Sequence, residues 1–80
     1  MFDGTCEIRR VSIREDGRAQ LDLQADNGTF DWNWFVSSVQ NGNAVLAVSL
    51  TAISTNKKVT CVINDPVQPW AEVVMFGLAK

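Results

Sequence analysis

Hydrophobic and polar residues alternate through most of the first half of the chain, the pattern of half-buried β-strands. From Arg18 to Ala25 the alternation is clean. Ala19, Leu21, Leu23 and Ala25 share one face, and Arg18, Gln20, Asp22 and Gln24 share the other. Thr5 to Arg14 is equally strand-like but slips phase: Cys6 and Ile8 have one parity, Val11 and Ile13 the other. A one-residue bulge near Arg9-Arg10 returns both pairs to the core face. Barrels use such bends in a long first strand. Glu15-Asp16-Gly17 predicts the turn between these strands, and Asp26-Asn27-Gly28 predicts a hairpin, because Asn-Gly tolerates positive φ. Thr29 to Phe35 predicts a third strand with Phe30, Trp32 and Trp34 on one face and Asp31 and Asn33 on the other.

The pattern over 44–54 fits two structures. As a strand, Leu46, Val48 and Leu50 alternate with Ala47, Ser49 and Thr51. As a helix, Leu46, Leu50 and Ile53 form one stripe and Val45, Val48 and Ala52 an adjacent one. Asn41 or Asn43 suits a helix start, and Asn56 suits a left-handed end followed by dipole-favourable Lys57 and Lys58. Val59, Cys61 and Ile63 then alternate with Thr60 and Val62 in a fourth strand. A loop broken by Pro66 and Pro69 leads to a last strand over 70–78, apolar enough to be covered on both faces. Repeats, linkers and low-complexity tracts are absent from the sequence, so one domain spanning 1–80 is expected.

Eighty residues place that domain near the size where a single core barely suffices. The net charge of −2 and pI of about 4.8 disfavour general phosphate-backbone binding, so nucleic acid is not the expected partner. No apolar run reaches the roughly 20 residues that cross a bilayer. The start, MFDGTCEIRR, lacks the basic residues and long apolar run of a signal peptide. Cytoplasmic and secreted settings both stay open.

With no histidine and no tyrosine, a Ser–His pair is impossible. The nine carboxylates show no spacing that points to a catalytic pair. No enzyme activity, no metal and no cofactor are expected. Two cysteines without histidine cannot complete a structural zinc site. Cys6 and Cys61 read either as reduced core thiols or as a disulfide worth roughly 4 kcal/mol through loop closure. Recognition chemistry concentrates in Asp31, Trp32, Asn33 and Trp34, with Trp70 beyond Pro69. Indole faces stack on sugar rings or bases, and Asp and Asn supply directional polar contacts. The competing reading puts Trp32 and Trp34 in the core and Trp70 over a barrel end. Arg9, Arg10, Arg14 and Arg18 make the first hairpin basic. They suit either anion contact or ion pairing with Glu7, Glu15 and Asp16.

The order of these features, with LAVSLTAISTNKKVTCVI following a Trp-containing strand, resembles the small B-subunit family of the subtilase cytotoxin and pertussis-like toxins and their bacterial relatives. The positions carrying the resemblance are Leu46, Leu50, Ala52, Asn56, Lys57, Lys58, Val59 and Ile63. It implies an OB-like five-stranded antiparallel β-barrel with one α-helix between strands three and four. Hence 44–54 is expected to be helical. It also implies a ring-forming homo-oligomer, often a pentamer, that binds glycans. In such a barrel the first and fourth strands are neighbours, which brings Cys6 near Cys61. A helical 44–54 would carry no charge, and the face opposite Leu46, Leu50 and Ile53 would present Ala44, Ala47, Thr51 and Ser54. Such a face is expected against another subunit, or else beneath the 36–43 loop. The function expected is a non-catalytic carbohydrate-binding or assembly module. A single-stranded nucleic-acid-binding barrel and a purely structural oligomer are the alternatives.

Overall fold

A computed structural model describes residues 1–79. It is mainly β with one helix, in the order β1 (Phe2–Ile13), β2 (Ala19–Ala25), β3 (Asn33–Val36), α1 (Gly42–Thr55), β4 (Val59–Ile63) and β5 (Val73–Leu78). The five strands form one antiparallel sheet with the order β3-β2-β1-β4-β5.

The phase slip in β1 is a bulge. Ile8 pairs with Leu23 and Arg10 with Asp22, leaving Arg9 as the extra residue. Cys6, Ile8, Val11 and Ile13 therefore all lie opposite the inward residues of β2, namely Ala25, Leu23, Leu21 and Ala19. Division of labour along β1 is sharp. Phe2 to Cys6 pairs with β4, and Cys6 to Ile13 pairs with β2, so Cys6 alone is paired on both sides. The core collects Leu21, Leu23, Phe35, Val59 and Ile63, each fully buried. Phe30 stands edge-on to both Phe2 and Phe35, with ring centroids 5.1 and 4.9 Å apart, a favoured aromatic geometry.

Two glycines serve the turns. Gly17 (φ 89°) and Gly28 (φ 81°) take the left-handed conformation that side chains resist. A third is required by contact. A Cβ on Gly42 would lie 1.9 Å from the Gly17 carbonyl oxygen, because the start of α1 rests directly on the β1–β2 turn. Gly42→Ala is expected to destabilise the fold by about 1–3 kcal/mol, as overpacking does. A urea midpoint unchanged from the parent would contradict this contact.

The helix is longer than its apolar pattern, running from Gly42 to Thr55. Asn41 is its N-cap residue but makes no side-chain capping bond. Asn56 closes it in the left-handed conformation (φ 55°), and the Lys57 amide bonds back to the Ala52 carbonyl. The buried side is Gly42, Val45, Ser49 and Ala52. Ser49 is tolerated there because its hydroxyl donates to the Val45 carbonyl at 2.7 Å. Leu50 and Ile53 are exposed, so the outward side combines them with Ala44, Ala47, Thr51 and Ser54. The leucine stripe is therefore not the packed one. Small residues at Gly42 and Ala52 let the helix sit close to the sheet instead.

Three further expectations are corrected. The third strand begins at Asn33, not Thr29, because the 26–32 connection is a turn followed by irregular backbone. Parity does not carry across that segment. Phe30 is in the core, while Trp34 pairs with Asp22 on the other side of the sheet. The last strand begins at Val73 and is an edge strand, so Val74, Met75 and Leu78 are exposed rather than covered. The sheet is not closed into a barrel. A single parallel bridge, Val36 to Glu72, links the region of its two outermost strands. No helix among the described residues is long and apolar enough to cross a membrane.

Candidate functional site

Asp22 is the centre of a bonded cluster on the outer face of the sheet. It faces away from the core, as the alternation of β2 requires, yet its side chain is only 2% exposed. What covers it is a consequence of the bulge. A bulge sets two residues of one strand against one of its partner, and here Arg9 and Arg10 both meet Asp22. Arg9 Nε donates to Asp22 Oδ2 at 2.7 Å, and Arg10 donates to the same oxygen from Nε at 3.1 Å and Nη2 at 3.0 Å.

The tryptophans expected to bind ligand extend this cluster. The Arg9 guanidinium lies 4.3 Å from the Trp32 ring centroid, and that of Arg10 lies 5.2 Å from Trp34, both within cation–π reach. Trp34 in turn stacks on Trp70, with centroids 6.2 Å apart and planes 13° from parallel. The Trp70 amide donates to the Trp34 carbonyl at 2.7 Å, tying the 65–72 loop to β3. Trp70 is therefore neither in a strand nor folded over a barrel end. It sits in a turn at φ 71°, unusual for a bulky residue, with half its surface exposed. Local strain of this kind concentrates at binding sites. Beside the exposed indole, Arg14 and Gln20 complete a cavity of about 420 Å³.

Of the five residues expected to contact ligand, Trp34 and Trp70 meet, and Trp32 lies beside them across the Arg9–Asp22–Arg10 bridge. Asp31 is turned to local work. Its Oδ1 accepts from Gln24 Nε2 at 2.7 Å and from the Trp32 amide at 2.8 Å. The backbone bond, then the Gln24 bond, hold its carboxyl below the ordinary carboxylate range. Asn33 pairs with inward-facing Leu23, so it shares the core side of the sheet and stands apart from the indoles. Arg9, Arg10 and Asp22 were not foreseen as one unit. The signal was available, since a bulge at Arg9-Arg10 beside an outward Asp22 already sets both guanidinia against that carboxylate.

Ala44, Ala47, Thr51 and Ser54 are all exposed on α1. Cys6 and Cys61 are buried free thiols with Sγ atoms 3.0 Å apart. The contact with Cys61, then burial, push the Cys6 thiol pKa far up, so the Cys6 sulfur is not a ready nucleophile. Among the described residues no group of three potential metal ligands comes together. No family model, no curated protein and no solved structure matches this chain.

Proposed function

We propose that this protein is a non-catalytic carbohydrate-binding module built on an OB-like five-stranded sheet, and that it works as a homo-oligomer. The observation carrying the binding role is the half-exposed Trp70 indole, stacked on Trp34 beside the Arg14 and Gln20 side chains. A pyranose presents an apolar C–H face to such a ring and its hydroxyls to flanking polar groups. Because Trp70 is braced from behind by Trp34 and through its backbone, little freedom is lost on binding. Support for the OB-like arrangement comes from the strand order and from the parallel Val36–Glu72 bridge between the two outer edges of the open sheet.

Assembly is favoured by two neighbouring elements. The fourteen residues of α1 and the six of β5 contain no charged side chain, although a fifth of the chain is charged. Natural edge strands are usually blunted by charge, whereas β5 exposes Val74, Met75 and Leu78. A second copy would cover both surfaces. Light scattering is expected to give a multiple of 8.8 kDa, with five copies the ring expected from the toxin-like resemblance. A monomer at working concentration would overturn the assembly reading.

For binding, tryptophan emission titrated across a glycan panel is expected to respond saturably. Trp70→Ala should weaken affinity about tenfold or more, the usual scale for losing one stacking ring. The same indoles and arginines also favour the single-stranded nucleic-acid reading. That reading predicts oligonucleotide affinity falling steeply with salt; glycan binding that is flat in salt, with no oligonucleotide response, excludes it.

A further inference from the structure

A second cavity, of about 360 Å³, shares no lining residue with the one at Trp70. Its walls include Glu7, Arg9, Trp32, Asn56, Lys57 and Lys58. We propose that this cavity binds a phosphate monoester, the dianion held between Arg9 on one wall and the Lys57-Lys58 step on the other. Three cations against the single carboxylate of Glu7 give the lining an excess of positive charge, part of which Asp22 on Arg9 and Asp26 on Lys58 offset from outside it, on a protein that is acidic as a whole. That excess matches a phosphate dianion better than a single carboxylate.

Arg9 is the organising group. Its Nε edge is fixed on buried Asp22 and its plane lies near the Trp32 ring. The terminal nitrogens make no hydrogen bond among the described residues. A guanidinium locked in this way has already lost its side-chain freedom, which suits a tetrahedral oxyanion. Lys58 donates to Asp26 at 3.0 Å, which positions the ammonium while leaving it further donor capacity. The left-handed turn at Asn56 satisfies two carbonyls of the last helix turn, those of Ile53 and Ala52, through the Asn56 and Lys57 amides. The helix end therefore presents less bare carbonyl charge to an anion. Trp32 offers an apolar surface for the organic part of the ester.

The test is an amide and indole NMR titration with a hexose monophosphate and with the bare hexose, at fixed ionic strength. The monophosphate is expected to shift the Trp32 indole and the Lys57 and Lys58 amides saturably at millimolar concentration. The bare hexose should leave them in place. Lys57→Gln combined with Lys58→Gln should weaken the response about tenfold. Arg9→Lys, which keeps charge but removes the fork, should also weaken it. Trp70→Ala should leave it intact, which separates this site from the glycan platform. An equal response to chloride, a non-saturating response, or loss on Trp70→Ala in place of the lysine variant would overturn the proposal. The amide spectrum reports folding of each variant in the same experiment.

Discussion

Asp22→Ala is expected to lower stability by about 2–3 kcal/mol and to loosen the tryptophan cluster at the same time. Removing one partner of a buried ion pair costs roughly 3–5 kcal/mol when the other charge is stranded. Here the guanidinia are 49% and 59% exposed, so water re-solvates them and the cost falls below that range. What remains is the loss of three charge-assisted hydrogen bonds and the void left by a side chain that is almost wholly covered. Because Arg9 and Arg10 also lie over Trp32 and Trp34, near-UV circular dichroism should weaken even under conditions where the fold persists. Asp22→Asn keeps one acceptor and should cost less. Equal urea midpoints for Asp22→Ala and the parent would show that the bridge contributes nothing to the fold.

Oxidation of the cysteines is expected to give the largest stabilisation available to this chain. Cys6 and Cys61 lie on adjacent strands, 55 residues apart in sequence, with sulfurs 3.0 Å apart. A bond requires the sulfurs to close by about 1 Å, and the loop-closure term has an upper limit of about 4 kcal/mol. With oxidised glutathione as oxidant, two thiols become one disulfide and two glutathione thiols are released. Burial should make this slow in the native state. The oxidised chain should then lose both alkylatable thiols and unfold at higher urea. A pH series separates the two forms. In the reduced protein the native Cys6 pKa lies above its unfolded value. The contribution is thus fully present below the ordinary thiol range and is lost as pH rises above it, when unfolding releases a proton that the native state retains. The oxidised protein has no such thiol and should show no such fall. Two free thiols after exhaustive oxidation in urea-free buffer would sink the prediction.

Much of the sheet was legible because the alternation rule acts locally. Ala19, Leu21, Leu23 and Ala25 are buried as read, the bulge lies at Arg9, and Asn56 ends the helix in the left-handed conformation. What failed needed knowledge of neighbours. Trp32 and Trp34 were assigned Phe30's face because parity was carried through 30–32, where the backbone is not extended into a strand. Of the two apolar stripes read for the helix, Val45 and Ala52 of the second are buried and Leu50 and Ile53 of the first are exposed, because close approach to the sheet favours Gly42, Ser49 and Ala52 over bulkier leucine. The final strand was read as doubly covered because its composition cannot say that it lies at an edge. The stacking of Trp70 on Trp34 depends on a loop geometry that no residue pattern encodes.

The handover at Cys6 carries a consequence for how the chain folds. One half of β1 belongs to a ribbon with β2 and β3, joined by short turns. The other half belongs to a ribbon with β4 and β5 that must wait for the chain to return across the helix. Local hairpins close cheaply and non-local pairings close late. The N-terminal ribbon is therefore the natural nucleus, and the Phe2–Cys6 segment is the seam sealed last. Substitutions within β2 should slow refolding, whereas substitutions at Thr60 or Val62 should chiefly speed unfolding.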